Sequence, residues 1–391
     1  MTQNWNPTRE DALRRLEAFV PDAAQNYTAM RNFDLGPDRH DHVSVLSPWI
    51  RHRLITEQEV VQRVLESHSL KAAEKFVQEV FWRTYWKGWL ELRPAVWDEY
   101  VADRDRQIAA LDNDSDLNQR WLAACRGETS IDCFNAWARE LVETGYMHNH
   151  ARMWFASIWI FTLKLPWEVG ADFFLRNLLD GDPASNTLSW RWVAGLQTRG
   201  KTYTAGAGNI VKFTKGRFQP KPNDLADYAE PLDGPELPRP LSPPTSQAPE
   251  DVPTGTLVTE EDLSATPTGP IAYIKATDQR STLPISDHVH TFVDGAFDDT
   301  SNRIGSMTMV TAETIIDWAQ QNELKQVVTS YVPVGPTRPV ADALRIRLEA
   351  AGIRYTELLR PWDENAWPYA TKGFFPFKKK IPKLVDQLVD L

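Results

Sequence analysis

A mainly α fold is predicted for this 391-residue chain, with an all-helical domain over residues 1–217, a Pro-rich acidic linker over 218–270 and a small α/β domain over 271–391. Three observations carry that division. Up to residue 217, apolar side chains recur at three- and four-residue spacing and strand signals are sparse. Residues 218–270 then hold 12 of the 27 prolines and 10 acidic against 2 basic residues. Beyond them short apolar runs alternate with helical stretches, the pattern of parallel strands joined by helices.

In the first domain, Thr56 and Glu59 form a capping-box pattern ahead of Val60, Val61, Val64 and Leu65. Residues 70–92 contain no proline and carry two stripes, one with Phe76, Val80, Phe81 and Tyr85 and an aromatic one with Trp82, Trp86 and Trp89. Further helices are expected over 131–144, ending at Gly145, over 149–164, ending before Pro166, and over 168–179. The linker has few large apolar residues with which to offset its ordering entropy, so it is expected to be extended and mobile. After it, strands are expected at Ile271–Ile274, His290–Val293 and Val327–Val328, and helices over 312–321 and 340–351.

Charged residues at 25% and apolar ones at 42% argue against global disorder. The apolar runs break within about ten residues, too short for a membrane span. Glu10, Asp11, Arg14, Arg15 and Glu17 interrupt any signal-peptide core, so a cytoplasmic location is expected. Cys125 and Cys133 are too few for a disulfide framework or a zinc site and read as buried thiols; no metal is expected. The net charge of -10 speaks against a nucleic-acid partner until it is divided. Residues 1–217 carry 27 basic against 28 acidic groups and residues 271–391 carry 14 against 15, so the acidity belongs to the linker. Within the first domain, residues 191–217 hold six basic and no acidic residues, interleaved with Gly200, Gly206 and Gly208, a candidate phosphate-contacting edge. Thirteen of the 16 tryptophans precede residue 193, more than core packing usually requires.

The hydrolase signatures HExxH and GxSxG are missing, and no Gly-rich phosphate loop of the GxGxxG or GxxxxGK type accompanies the C-terminal α/β pattern. His40/His42, His148/His150 and His288/His290 read as structural pairs. A polar cluster inside apolar helices remains, with Asn149, Arg152 and Met153 followed by Asp180, Gly181, Asp182, Asn186, Trp190 and Trp192. A buried Arg and Asp are costly unless paired with each other or with a ligand.

The run Asn149, Ala151, Arg152, Met153, then Asp180-Gly181-Asp182, Asn186 and Trp190, resembles the flavin-binding core of the DNA photolyase and cryptochrome family. Tyr27 with Arg31-Asn32, the segment Ser44-Val45-Leu46-Ser47-Pro48, and Glu79 through Tyr85 stand in the family's order at similar spacing, so the resemblance covers residues 20–217. It implies FAD as cofactor. Ser44, Val45, Leu46 and Ser47 would hold its phosphates through backbone amides and hydroxyls, with Tyr27 and Asn149 beside them. Arg152 paired with Asp180 would flank the isoalloxazine ring, Gly181 and Asp182 would meet its polar edge, and Asn186 would face N5. Trp190 and Trp167 match the proximal and middle members of an electron-transfer chain; the distal position falls near Leu111, leaving Trp121, Trp154 or Trp159 as substitutes.

For a lesion, the resemblance places Glu79, Trp82 and Met153 around a flipped-out pyrimidine dimer, with Asn149, Arg83 and Lys212 at the DNA backbone. Met153 stands where the family's (6-4) enzymes carry His, which points to cyclobutane dimers. Two departures accompany this. The family's N-terminal α/β antenna domain does not precede the flavin core, and residues 340–352 and 373–378 faintly resemble part of it moved to the C-terminus, so no antenna chromophore is expected. Val43 also replaces a hydroxyl residue at the phosphate site. The expected function is light-driven, FAD-dependent repair of DNA containing pyrimidine dimers. A cryptochrome-like blue-light sensor, changing a partner contact through the mobile linker and C-terminal domain, and a flavoprotein that binds nucleic acid without repair are the alternatives.

Overall fold

The computed structural model describes residues 5–389. The helical part comprises α1 (Arg9–Phe19), α2 (Gln25–Met30), α3 (Ser47–Arg51), α4 (Glu57–Leu65), α5 (Glu74–Glu91), α6 (Ala95–Leu111), α7 (Ser115–Arg126), α8 (Asp132–Thr144), α9 (Asn149–Ser157), α10 (Trp167–Asn177), α11 (Pro183–Val193) and α12 (Ala207–Phe213). The Thr56–Glu59 capping box forms in both directions and starts α4. Gly145 ends α8 at φ 70°, and a Cβ there would meet Leu179 at 2.7 Å, so only glycine suits the turn. The helix expected over 149–164 forms as α9 and continues through a π-helical turn, Ile158–Thr162.

The C-terminal part has β1 (Thr254–Thr259), β2 (Ile271–Ile274), β3 (Met307–Met309), β4 (Gln326–Ser330) and β5 (Arg354–Leu358), with α13 (Asp287–Ile304), α14 (Ile315–Gln321), α15 (Thr337–Ala350), α16 (Pro361–Ala366), α17 (Phe374–Lys378) and α18 (Ile381–Leu388). The five strands are all parallel in the order β3-β2-β1-β4-β5. The chain therefore runs outward from β1 in both directions, and the switch point lies between β1 and β4.

Three expectations need correction. The segment read as a linker to residue 270 contains β1, the central strand. Its only large apolar residues are Leu257 and Val258, and the prolines on either side mask so short a signal. The residues His290–Val293, expected as a strand, lie inside α13. Ser286 caps that helix, and Val289, Phe292, Val293, Ala296 and Phe297 bury at helical spacing. Nor does the proline-rich stretch 218–253 hang loose. Leu232 N–H donates to Ala194 O, Leu241 N–H to Leu92 O, Gln247 N–H to Glu357 O, and Arg93 Nε to Pro238 O. Those bonds lay it as a strap from the helices to the sheet edge at β5.

The two parts share a core. One buried cluster runs from Trp49, Phe81 and Trp154 to Phe292, Trp362 and Phe377, while a second, around Leu257, Trp318 and Leu344, fills another part of the α/β layer. Phe81 stacks on Trp362 with centroids 4.7 Å apart, and the Trp362 indole N–H donates to Thr84 Oγ1 at 2.9 Å.

Candidate functional site

A cavity of about 640 Å³ opens among α2, α3, α5, α9 and α11. It gathers most of the residues singled out in the sequence: Tyr27, Ser44, Val45, Leu46, Ser47, Glu79, Trp82, Arg83, Asn149, Arg152, Met153, Asp180, Gly181, Asp182, Asn186 and Trp190 all line it. Trp167 and Lys212 do not. Asp182, Asn186 and Trp190 are buried in the wall, whereas Glu79, Asn149 and Ser189 are exposed at the rim and Trp82 and Met153 are half-buried between.

On one side the chain enters α3 through Val45, whose φ of 53° is left-handed. A β-branched residue there is strained, and such strain persists only where the surroundings impose it. Ser47 follows, and its hydroxyl donates to Asp180 Oδ2 at 2.5 Å. Asp180 also accepts a bidentate pair from Arg152, at 3.0 and 2.8 Å, and Arg152 Nε donates to Met147 O. The ion pair is therefore intramolecular, satisfied and faces the cavity, and the Ser47 proton is already committed to it. Tyr27 is wedged edge-on between Phe19 and Phe76, and burial raises its phenol well above the ordinary range.

Asp182 caps α11 by accepting from Ser185 N–H at 2.8 Å. Burial alone would raise its carboxyl, but Arg83, Lys87 and Arg51 together hold it well below the usual range. Arg83, expected at a DNA backbone, is turned inward: its side chain is only 13% exposed and lies 3.3 Å from Glu57 and 3.2 Å from Asp182. Two buried carboxylates attract it more strongly than solvent can. Asn186 Nδ2 donates to Ala171 O at 2.7 Å, and among the described residues no protein donor reaches its Oδ1.

The Trp190 ring packs across Gly170, where a Cβ would lie 2.5 Å from it, and meets Phe174 at 5.1 Å and Trp159 at 6.1 Å, both edge-on. Trp167 lies against Tyr100 at 5.6 Å, which in turn lies 5.3 Å from Trp97. Of the residues left open for the distal position, Trp159 touches Trp190, while Trp154 stacks between Trp137 and His150 as core. The basic run 191–217 is only partly a surface. Arg191 is buried, Arg199 donates to Gly234 O and Arg217 pairs with Asp34, which leaves Lys201, Lys212 and Lys215 exposed. Lys212 sits over Phe213, whose ring contacts His150 in the cavity lining at 5.1 Å.

Histidines at the back of the site are structural. His148 accepts from His150 N–H at the start of α9, and burial pushes His40 down to about 4 and the neighbouring Glu140 up to about 8, so that wall carries little charge. Sequence reasoning missed Ser185, Ser189, Trp86, His150 and Val193 in the lining. The three on α11 could have been found, because Asp182, Ser185, Ser189 and Val193 recur at three- and four-residue spacing. Among the described residues no cluster of His, Cys, Asp or Glu could hold a metal ion, and no helix is long and apolar enough to cross a membrane. Cys125 and Cys133 are unpaired, and burial pushes both thiols up to about 12.

Residues 76–221 match the family described as the FAD binding domain of DNA photolyase. The deoxyribodipyrimidine photo-lyase of Streptomyces griseus is 38% identical over 159 residues, 40% of this chain and 33% of that protein. A cryptochrome DASH from Natronomonas pharaonis is 31% identical over 189 residues, 47% of this chain and 38% of that one. The crystal structure of a bacterial class III photolyase from Agrobacterium tumefaciens aligns with a TM-score of 0.43 at 25% identity, over 55% of this chain and 45% of that one. The chain spans 33–42% of the length of the first curated relatives it matches. The stretch that matches holds the α5, α9 and α11 walls of the cavity, and over it the chain is similar to the DNA photolyase and cryptochrome family.

Proposed function

We propose that this chain holds FAD in the 640 Å³ cavity and carries out light-driven repair of cyclobutane pyrimidine dimers presented at its rim. The observation that supports this reading most is the division of that one cavity into a polar floor at Asp180, Asp182 and Asn186 and an aromatic and thioether zone, Trp82 and Met153, beneath its rim. Its volume falls within the roughly 300–1,000 Å³ range of cofactor-sized pockets. The donor set also fits a dinucleotide. The strained turn at Val45 and the Ser44 hydroxyl suit the diphosphate, and the balanced Arg152–Asp180 pair, held by Ser47, presents both a donor and an acceptor without net charge. Asn186 offers an amide whose Oδ1 no protein group occupies.

FAD held there supplies a light-driven electron to the dimer. The chain's residues do the rest by position. Trp82 and Met153 give a flipped base pair an apolar surface to stack against and exclude water from it. Glu79, 41% exposed and 3.9 Å from Arg31, stands where a carboxyl can accept from a base edge. A sensing role exerted through the linker and C-terminal domain draws less support from a strap that is hydrogen-bonded to the helices and to β5.

Illumination of the reduced holoprotein with dimer-containing DNA, single- and double-stranded, is expected to restore the ultraviolet absorbance of intact thymine. No recovery on either substrate would sink the proposal. Trp82→Ala is expected to weaken lesion binding while the flavin stays bound.

A further inference from the structure

We propose that the C-terminal segment 372–380 is a DNA-binding element: Phe375 stacks on an unpaired base beside the cavity mouth, while Lys372, Lys379 and Lys380 meet the phosphates of that strand. The proposal rests on the reading that DNA comes to this mouth.

The segment's place is fixed by α5, the helix whose Glu79, Trp82, Arg83 and Trp86 line the cavity. Tyr85 Oη donates to Lys372 O at 2.9 Å, and Lys378 Nζ lies 3.2 Å from Glu74 Oε1. Between those ties Phe374 lies flat on Trp82, with centroids 3.6 Å apart and planes 13° apart, and Phe377 is fully buried. Phe375 has the opposite environment: it is 79% exposed, more than any other large apolar side chain among the described residues.

A single exposed phenylalanine is ordinary. This one is not isolated, for it stands one residue from the ring that covers the lesion-facing tryptophan, in a stretch with no acid from residue 365 to 385 and five lysines. Lys378 is taken by Glu74. Lys372, Lys379 and Lys380 are exposed, and among the described residues none has a carboxylate within 4 Å. An aromatic face on a rigid platform flanked by cations that no carboxylate neutralises, Lys380 lying over the Tyr369 ring, is the combination that holds single-stranded nucleic acid, because every base has a π-face and every nucleotide a phosphate. A membrane surface fits less well, since the apolar residues of α18, Ile381, Leu384 and Val385, are turned into the core and leave no apolar face to insert.

The test measures binding of the holoprotein in the dark to a dimer-containing single strand and to anionic phosphatidylserine vesicles. Phe375→Ala is expected to weaken DNA binding about fivefold or more, with Phe375→Trp retaining it. Lys372→Ala/Lys379→Ala/Lys380→Ala is expected to lower the slope of log K against log salt by at least about 0.7. Bound flavin and thermal transition should match the parent in all three. If the parent binds the lesion and the variants bind it equally well, the element is overturned while the function proposed for the cavity stands. Should the parent bind no DNA, both fall. Vesicle binding that is lost in Phe375→Ala while DNA binding is unchanged would also overturn it, in favour of a lipid surface.

Discussion

The molecule has two places where its fold would ordinarily seat a ligand, and it treats them in opposite ways. The cavity among α5, α9 and α11 is open, at about 640 Å³. The crevice at the carboxyl ends of β1 and β4, the usual ligand position of a doubly wound sheet, is filled by the protein itself. Arg51 from α3 enters it and pairs with Glu261 at 2.7 and 2.9 Å, and Thr337 donates to the same carboxylate. From α5, Glu91 accepts from Val334 N–H and Tyr331 Oη, and what space remains beside Lys87 has no room for a water molecule. One carboxylate belongs to both places: Asp182 lines the cavity and, through Lys87 at 3.7 Å, abuts the plug. The difference teaches that buried charge can be used to close a site as well as to furnish one. At the crevice the strong charges meet internal partners, whereas the cavity leaves Asn186 Oδ1 without a protein donor among the described residues.

Breaking the plug should give the largest effect. Arg51 is 1% exposed, and its removal strands Glu261, whose burial is compensated by that guanidinium. Arg51→Met is expected to cost about 3–5 kcal/mol in chemical denaturation, with Arg51→Met/Glu261→Met recovering most of it. A loss below about 1 kcal/mol would mean the pair does not hold the two parts together. The pH dependence follows the same seam. Burial would raise Glu261, but Arg51 and Lys87 bring it down to about 2, below its unfolded value. It therefore contributes stability above the unfolded value, lost as pH falls toward about 2, and that acid-side loss should be blunted in the double variant.

Glu91 gives the next largest effect and the opposite sign. Burial raises it to about 7 in spite of its two donors, so the folded state holds its proton more tightly than the unfolded one. The contribution is complete below an unfolded value of 4.5 and fades as pH rises through about 7. Glu91→Gln, a mimic of the neutral form, is expected to gain about 3 kcal/mol at pH above about 8 and almost nothing near pH 4. Equal gains at both would refute a proton on Glu91 as the cause.

The open site was far more legible in the sequence than the plugged one. Arg152, Asp180, Asn186 and Trp190 stood out because polar and aromatic residues among apolar helical spacing need a reason, and the reason is local to α9, α11 and the turn that leads into α11. The plug was invisible because its partners are 210 residues apart, as in Arg51 and Glu261. Glu260, Glu261 and Asp262 were counted as linker acidity and assigned to solvent, although all three are buried and paired, with Arg280, Arg51 and Arg360 respectively. Charge counting by segment sees sign but not burial. Arg83 failed for the same reason, since nothing near it in sequence shows that Asp182, 99 residues on, would draw it inward. Helices were read well where caps and spacing agreed, as at Thr56–Glu59, and β1 was lost because two apolar residues among prolines carry no period.

The smallest expected effect sharpens the contrast from the cavity side. A filled crevice needs no strain, because its partners hold one another, but an open one must keep its wall in place without a partner across it. Val45 in the left-handed region is where that cost is visible. Val45→Gly removes a strain of about 1–3 kcal/mol and adds about 0.5–1 kcal/mol of unfolded-chain entropy. The net change is therefore expected to be a gain of no more than about 1–2 kcal/mol, unlike the loss at Arg51. The wall between Ser44 and Ser47 should loosen at the same time, and flavin dissociation, followed by its released fluorescence, should be faster than in the parent. A Val45→Gly protein that is less stable than the parent would show that the left-handed turn is held by Val45 packing rather than imposed on it.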